Sequence, residues 1–474
     1  MIEKEQTFIP REINSAFKRQ AWYTSIAYTT YFLFGVMRGF PAFALEQMKS
    51  NESIVVVQSE DSLSWIASLS IFSNPIGSIL AGIIMDKFGR KITLQLSLFT
   101  FTVGWTFITF SQTIWMLYAG NVIVGLAIGM GACSTIYVAE ICEIRNRAMM
   151  LSFLEIYYSS GIVMAFLLTC YMKWNVAALI FTMISALSLF LLYYIPESPY
   201  WLMKMNRVTE ALESYNKLNN KQIATEFESE FNDILLSLDG VKQETGLRVL
   251  RNNFKAFAIM VTFHVLLQGC GYNITLAYVN DFIPASHGKL IAILYSFSSF
   301  LSSFVTPLTA NYLRRRESTM VSGVGMAFAL FLLMVHKTFA DSVTFEYFWF
   351  LVPIALSLFM FCCTIGVLTL SQAMIGELFP TEVRGMMCGI TEAIGTILSA
   401  LSVKLYPTIR GDYHQNMFLT FFASFGILTA LFGKFILPET HGKSLNEIQE
   451  QYFRRNSNVV DYKKASKTKI ERQI

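Results

Sequence analysis

The chain is 474 residues long, 54% hydrophobic and 15% aromatic, with only 15% charged residues, well below the roughly 25% charge of soluble domains. So few charges cannot cover a water-facing surface of this size, and a formal charge of +4 gives no electrostatic reason to expect a nucleic-acid partner. The seven cysteines (Cys133, Cys142, Cys170, Cys270, Cys362, Cys363 and Cys388) lack metal-ligand spacing and sit mostly in apolar stretches, which predicts packing residues rather than a disulfide framework.

A polar tail, 1–20, opens the chain. Apolar blocks follow at 21–44, 63–84, 92–111, 114–138, 149–171 and 175–195, within a first bundle 21–202. Each has the length of about 20 residues that crosses a hydrocarbon core. With no cleavable leader in view, the first block serves as an uncleaved insertion signal. The polar stretch 203–252 holds two amphipathic segments, 203–219 and 223–238, and reads as a helical linker. A second bundle, 253–439, contains blocks at 254–283, 288–311, 318–336, 346–375, 385–407 and 416–436, and a polar tail 440–474 closes the chain. The expected fold is all-α: twelve transmembrane helices in two six-helix bundles, embedded in a lipid bilayer.

Lys and Arg orient the spans. One set of connections carries Asp86-Lys-Phe-Gly-Arg-Lys91, Arg145, Arg147, Arg314-Arg-Arg316 and Arg384, and the basic tails and linker share that side. The opposite connections carry only Lys49, Lys173, Lys289, Lys337, Lys404 and Arg410. The basic side is therefore expected to be cytoplasmic, with both termini inside a plasma-membrane protein. Asn51-Glu-Ser53 is a glycosylation sequon in the first external loop, whereas Asn273-Ile-Thr275 falls within a span. Trp22, Trp115, Trp174 and Trp201 fall at span ends and read as interface anchors.

The two halves repeat. Asp86 heads a basic loop as Asn311 does, 225 residues on; Glu140 precedes Arg147 as Glu377 precedes Arg384, 237 on; Pro196-Glu-Ser returns as Pro438-Glu-Thr, 242 on. Parallel six-helix repeats with a solute site near the midplane between them form a transporter architecture. Charges at a membrane boundary must be paired or hydrated. Asp86, Arg90, Glu140, Arg147, Arg315, Glu377 and Arg384 therefore read as a gate at the cytoplasmic ends, its partners drawn from both lobes, with Gly89 in a tight turn.

At these residues the chain resembles the sugar porter family of the major facilitator superfamily, and within it the insect facilitated-trehalose-transporter-like branch. The resemblance runs through Asp86-Lys-Phe-Gly-Arg-Lys91, Tyr137-Val-Ala-Glu140 with Arg147, Pro196-Glu-Ser-Pro-Tyr-Trp-Leu202, Gly376-Glu-Leu-Phe-Pro380 with Arg384, and Pro438-Glu-Thr440. It implies a monomeric carrier of a hexose, trehalose or polyol, with no cofactor, no metal and no enzymatic step. It also implies sugar contacts at Gln268, Asn273 and Tyr278 in span seven. Elsewhere the family's site residues are replaced: its span-five glutamine by Glu155, its span-eight asparagine by Ser299, its span-ten tryptophan by Gln372, and its span-eleven Asn-Trp pair by Gly395-Thr396. Proton-coupled relatives place an acid in span one where Met37 stands, so the resemblance implies facilitated diffusion. Arg38, Glu155 and Glu392 are ionisable residues inside spans and functional candidates on that ground. They leave open a carrier of an organic ion, and a non-transporting nutrient sensor on the same scaffold is also open.

Overall fold

Apolar stretches without a run of helix breakers fold as helices because lipid offers no partner for backbone N–H and C=O groups. A computed structural model describes residues 11–142, 144–219, 251, 253–284, 287–339, 349–379, 384–412 and 415–440, and these are helical almost throughout. The first half contains α1 (Arg11–Ala27), α2 (Thr29–Gly39), α3 (Pro41–Lys49), α4 (Glu60–Phe88), α5 (Arg90–Thr109), α6 (Ile114–Gly131), α7 (Cys133–Ile141), α8 (Ile144–Tyr171) and α9 (Trp174–Leu192). Two short helices, α10 (Pro199–Lys204) and α11 (Val208–Asn219), follow it. The second half contains α12 (Phe254–Gly269), α13 (Tyr272–Ala277), α14 (Gly288–Tyr312), α15 (Arg315–Phe339), α16 (Leu351–Cys363), α17 (Thr369–Leu378), α18 (Arg384–Asp412) and α19 (Gln415–Phe435).

Eleven segments of the described residues are long and apolar enough to cross a membrane. The twelfth crossing is the first, which the sequence places at 21–44. It is jointed at Tyr28 and Phe40 into α1, α2 and α3, yet Tyr28 N–H still donates to Thr24 O at 2.9 Å and Phe40 N–H to Val36 O at 2.9 Å. Span seven is broken too: Gly271, with φ of 82°, separates α12 from α13, a conformation that costs any residue with a Cβ. The linker's first amphipathic segment is realised as α11, while 223–238 and the tail beyond 440 lie outside the described residues.

The outer surface is apolar. On α9, Met183, Leu187 and Phe190 are exposed on one stripe, while Ala177, Ala178, Phe181, Ser185 and Leu192 are buried on the other. This is a helix whose wet side has become the lipid side. Pairwise packing repeats between the halves. Helix α4 lies along α6 as α14 lies along α16, α5 along α9 as α15 along α19, and α2 along α8 as α12 along α18. The halves meet where α4 packs on α18 and α8 on α14, and the internal repeat exchanges these two contacts.

Candidate functional site

At the basic end, α4 stops on Gly89, whose φ is 100°; a Cβ there would come within 2.3 Å of Glu197 Oε2. The turn aims the first N–H groups of α5 at Glu197, which accepts from Arg90 N at 3.0 Å, Lys91 N at 3.1 Å and Ser198 N at 2.8 Å. A carboxylate satisfies the unpaired donors of a helix N-terminus and its positive dipole end. Burial pushes the Glu197 carboxyl above the usual range, with those N–H bonds opposing. The Arg90 guanidinium grips Glu140 through both prongs, Nε to Oε2 at 2.9 Å and Nη2 to Oε1 at 2.8 Å, and Ser198 Oγ donates to the same carboxylate.

The second half repeats the arrangement residue for residue. Arg315 Nη2 donates to Glu377 Oε1 at 2.9 Å, and Thr440 Oγ1 donates to Glu377 Oε2. Glu439 accepts from the backbone N–H groups of Arg315 at 3.1 Å and Arg316 at 3.2 Å. Glu197 and Glu439 thus cap equivalent helices, and Glu140 and Glu377 tie the arginine that follows each cap. Each ion pair lies inside a single half. Where the sequence expectation has these charges join the two lobes, the described pairs fasten each cluster within its own bundle.

Contacts between the halves lie deeper. Tyr158 Oη on α8 reaches Tyr272 Oη on α13 at 3.4 Å, and Arg38 Nη1 on α2 reaches Ser399 Oγ on α18 at 3.5 Å. The Phe34 ring packs edge-on to Tyr158 at 5.1 Å between centroids, and Arg38 Cζ stands 5.2 Å from that Phe34 ring. Asn273 Nδ2 donates to Gln268 Oε1 at 2.7 Å across the break in span seven, so the two amides orient each other. Arg38, Ser70, Ala277, Val403 and Asn273 line a crevice between the halves with room for roughly one water.

At the end opposite the basic clusters, Lys404 on α18 pairs with the Asp61 carboxylate of α4, donates to Ser64 Oγ at 2.8 Å and stands 4.5 Å over the Trp65 ring. Asn280 Nδ2 donates to Ala42 O and to Glu46 Oε2, both at 2.7 Å. Each of these links crosses from one half to the other.

Jointed or broken crossings, duplicated caps and a polar seam between duplicated bundles accompany a family match: the sugar (and other) transporter family matches residues 23–452. The chain belongs to that family. The facilitated trehalose transporter Tret1 of Apis mellifera ligustica is 25% identical over 446 residues, covering 91% of this chain and 88% of that one. Tret1 of Bombyx mori is 26% identical over 404 residues, covering 82% and 79%. The partially occluded inward open structure of the xylose transporter XylE from E. coli superposes with a TM-score of 0.76 at 17% identity, covering 90% of this chain and 99% of that one. The last likeness establishes the fold, the major facilitator arrangement of two six-helix bundles.

Within this transporter scaffold the site expectations separate. Glu155, on α8 one turn before Tyr158, is partly buried, and its Oε1 has no hydrogen-bond partner among the described residues. Gln268 and Asn273 stand together as expected of a span-seven pair. Ser299 is fully buried, and its Oγ is likewise without a partner there. Tyr278 lies toward the Lys404 end, donating to Val403 O at 3.2 Å with its ring 5.1 Å from Tyr406. Thr396 Oγ1 bonds its own helix at Glu392 O, 2.7 Å away. The side chains of Gln372 and Arg384 lie outside the described residues. Arg147 reaches the Cys142 carbonyl at 3.5 Å rather than Glu140, and Asp86 is exposed, its carbonyl accepting from Trp201 Nε1 at 3.2 Å.

Some anchors are corrected. Trp22 and Trp115 are exposed at span ends, but Trp174 and Trp201 are buried, their indole N–H groups on Ser53 Oγ and Asp86 O. His264 is a buried packing residue: a Cβ at Gly395 would sit 2.5 Å from its Nδ1. The roles of Glu197, Ser198, Glu439 and Thr440 were not assigned from sequence, although the repeated Pro-Glu-Ser and Pro-Glu-Thr carried the signal. Nothing local marked Lys404, Asp61 or Asn280.

Proposed function

We propose that this protein is a carrier of a sugar or related polyol, working by alternating access and facilitated diffusion as a monomeric unit of the plasma membrane. In this reading the basic end and both termini are cytoplasmic, and the Lys404 end is external. The observation that supports it best is the seam of hydroxyls and amides at mid-depth. Tyr158, Tyr272, Gln268 and Asn273 offer donors and acceptors beside the aromatic face of Phe34, the chemistry a polyhydroxylated ring needs. The named relatives are trehalose transporters, and the matching family is one of sugar carriers.

Glu155, Gln268, Asn273, Ser299, Gln372 and Thr396 contribute to the path. Asp86, Gly89, Arg90, Glu140, Arg147, Arg315, Glu377 and Arg384 form the machinery at the cytoplasmic end. Asn51, exposed in the turn before α4, carries the glycan. Met37, at the position where proton-coupled relatives hold an acid, supports uniport.

Purified protein in liposomes, offered hexoses, trehalose, polyols, sugar acids and amino acids with and without a pH gradient, tests the reading. Saturable uptake of a sugar or polyol that does not require the gradient is expected. Absence of saturable uptake for every sugar and polyol would overturn it.

A further inference from the structure

Arg38 differs from the arginines that hold a carboxylate. Arg90, Arg315 and Arg410 each hold a carboxylate, whereas no carboxylate of a described residue pairs with Arg38 within 4.0 Å. It lies within a crossing, where an uncompensated cation is costly and marks a pathway. Its described partners are one hydroxyl at the long limit of a hydrogen bond, Ser399 Oγ at 3.5 Å, and the face of Phe34. A guanidinium has five N–H donors arranged as a fork, so most of this fork is uncommitted. It opens into the crevice between the halves beside Asn273.

Glu155, the partly buried acid nearby, forms no ion pair with it. Phe34 and Tyr158 pack level with each other. Arg38 lies four residues beyond Phe34 on α2, and Glu155 three residues before Tyr158 on α8. Both helices run away from the basic end, so at 1.5 Å per residue the two Cα atoms are offset by about 10 Å along the membrane normal, and no ion pair within 4.0 Å joins the two side chains.

We propose that Arg38 is a specificity residue that receives an anionic group, and that the preferred solute is a monosaccharide carrying one carboxylate. This rests on the sugar-carrier reading and names its substrate class. A single uncompensated guanidinium balances one negative charge and meets a carboxylate through two parallel N–H bonds. A phosphate ester brings nearly two charges, and the described residues lining the crevice offer no second cation. Gln268, Asn273 and the Tyr158–Tyr272 pair remain for the ring hydroxyls.

The test is uptake of glucuronate, glucose and glucose 6-phosphate by the full chain in liposomes. The wild-type protein is expected to take up glucuronate at least about tenfold more effectively than glucose, the factor that a charge-assisted hydrogen bond supplies. Arg38→Gln lowers the glucuronate-to-glucose ratio about tenfold, and Arg38→Lys lowers it less because it keeps the charge without the fork. Uptake of glucose without preference for glucuronate overturns the proposal and leaves the sugar carrier standing, as does preference for the phosphate. Uptake of no sugar removes both. The wild-type ratio decides even where a variant is unstable, and an unchanged ratio in Arg38→Gln would also overturn the assignment.

Discussion

The two ends of the molecule use charge differently. At the basic end, Arg90 and Glu140 are largely buried, with side chains 10% and 19% exposed, and both belong to the first half; Arg315 and Glu377 do the same in the second. At the opposite end Lys404 is 13% exposed but its partner Asp61 is 71% exposed, and the pair bridges the halves. Buried pairs within a rigid bundle hold helices in register. An exposed pair across a moving seam biases an equilibrium without locking it. The difference follows from what each must do: a carrier that rocks needs rigid lobes and weak, reversible closure.

The largest effect tests the first half of that contrast. Glu140→Ala leaves the Arg90 guanidinium largely buried without its carboxylate and removes the acceptor of Ser198. A loss on the order of 3 kcal/mol is expected, read as a fall in Tm and in the monodisperse fraction in detergent. If stability held while only transport changed, the cluster would be a gate between lobes rather than a staple within one.

A smaller effect tests the second half. Lys404→Gln removes a half-exposed pair worth up to about 1 kcal/mol, or roughly fivefold in a two-state population. In a Ser70→Cys background, labelling from that end by a membrane-impermeant thiol reagent should quicken by about two- to fivefold. The parent should approach the variant in high salt, because exposed pairs are screened. An unchanged labelling rate would remove Lys404 from the closure.

The smallest effect sharpens the same end. Asp281, between spans seven and eight, has its carboxyl pushed above the ordinary 3.8 by burial, with Arg410 opposing. Just above that value the folded chain keeps a proton the unfolded chain has released. Stability therefore falls as pH rises through the window between the ordinary and raised values, then levels off. Asp281→Asn should flatten this slope, a change of about a degree in Tm. A slope that persists would place its origin in another group.

Much of the site was legible because repeated motifs sit at helix ends, where chain neighbours meet their partners by local geometry. Gly89 before Arg90 implies a turn, whereas the repeated carboxylate after span six marks a duplication without showing that it caps a helix. The partners were less legible. Glu140 stands seven residues before Arg147 in the repeated motif, yet it pairs with Arg90, fifty residues before it, because α7 packs on α5 and α8 leads Arg147 away. Trp174 and Trp201 show the same limit, since position at a span end says nothing of which way the indole faces.

What the sequence determined by itself was the number and order of the crossings, the duplication and the family. These are properties of block length, spacing and motif, which lipid enforces locally by leaving no backbone group unpaired. What only the tertiary structure decided was which charges meet: that the basic clusters close within each half, that Lys404 crosses to Asp61 343 residues away, and that Arg38 has no carboxylate partner among the described residues. Those outcomes depend on helix rotation and on packing between bundles distant in sequence, and a change of one residue in helix phase turns a side chain by about 100° with little change in the pattern of apolar blocks.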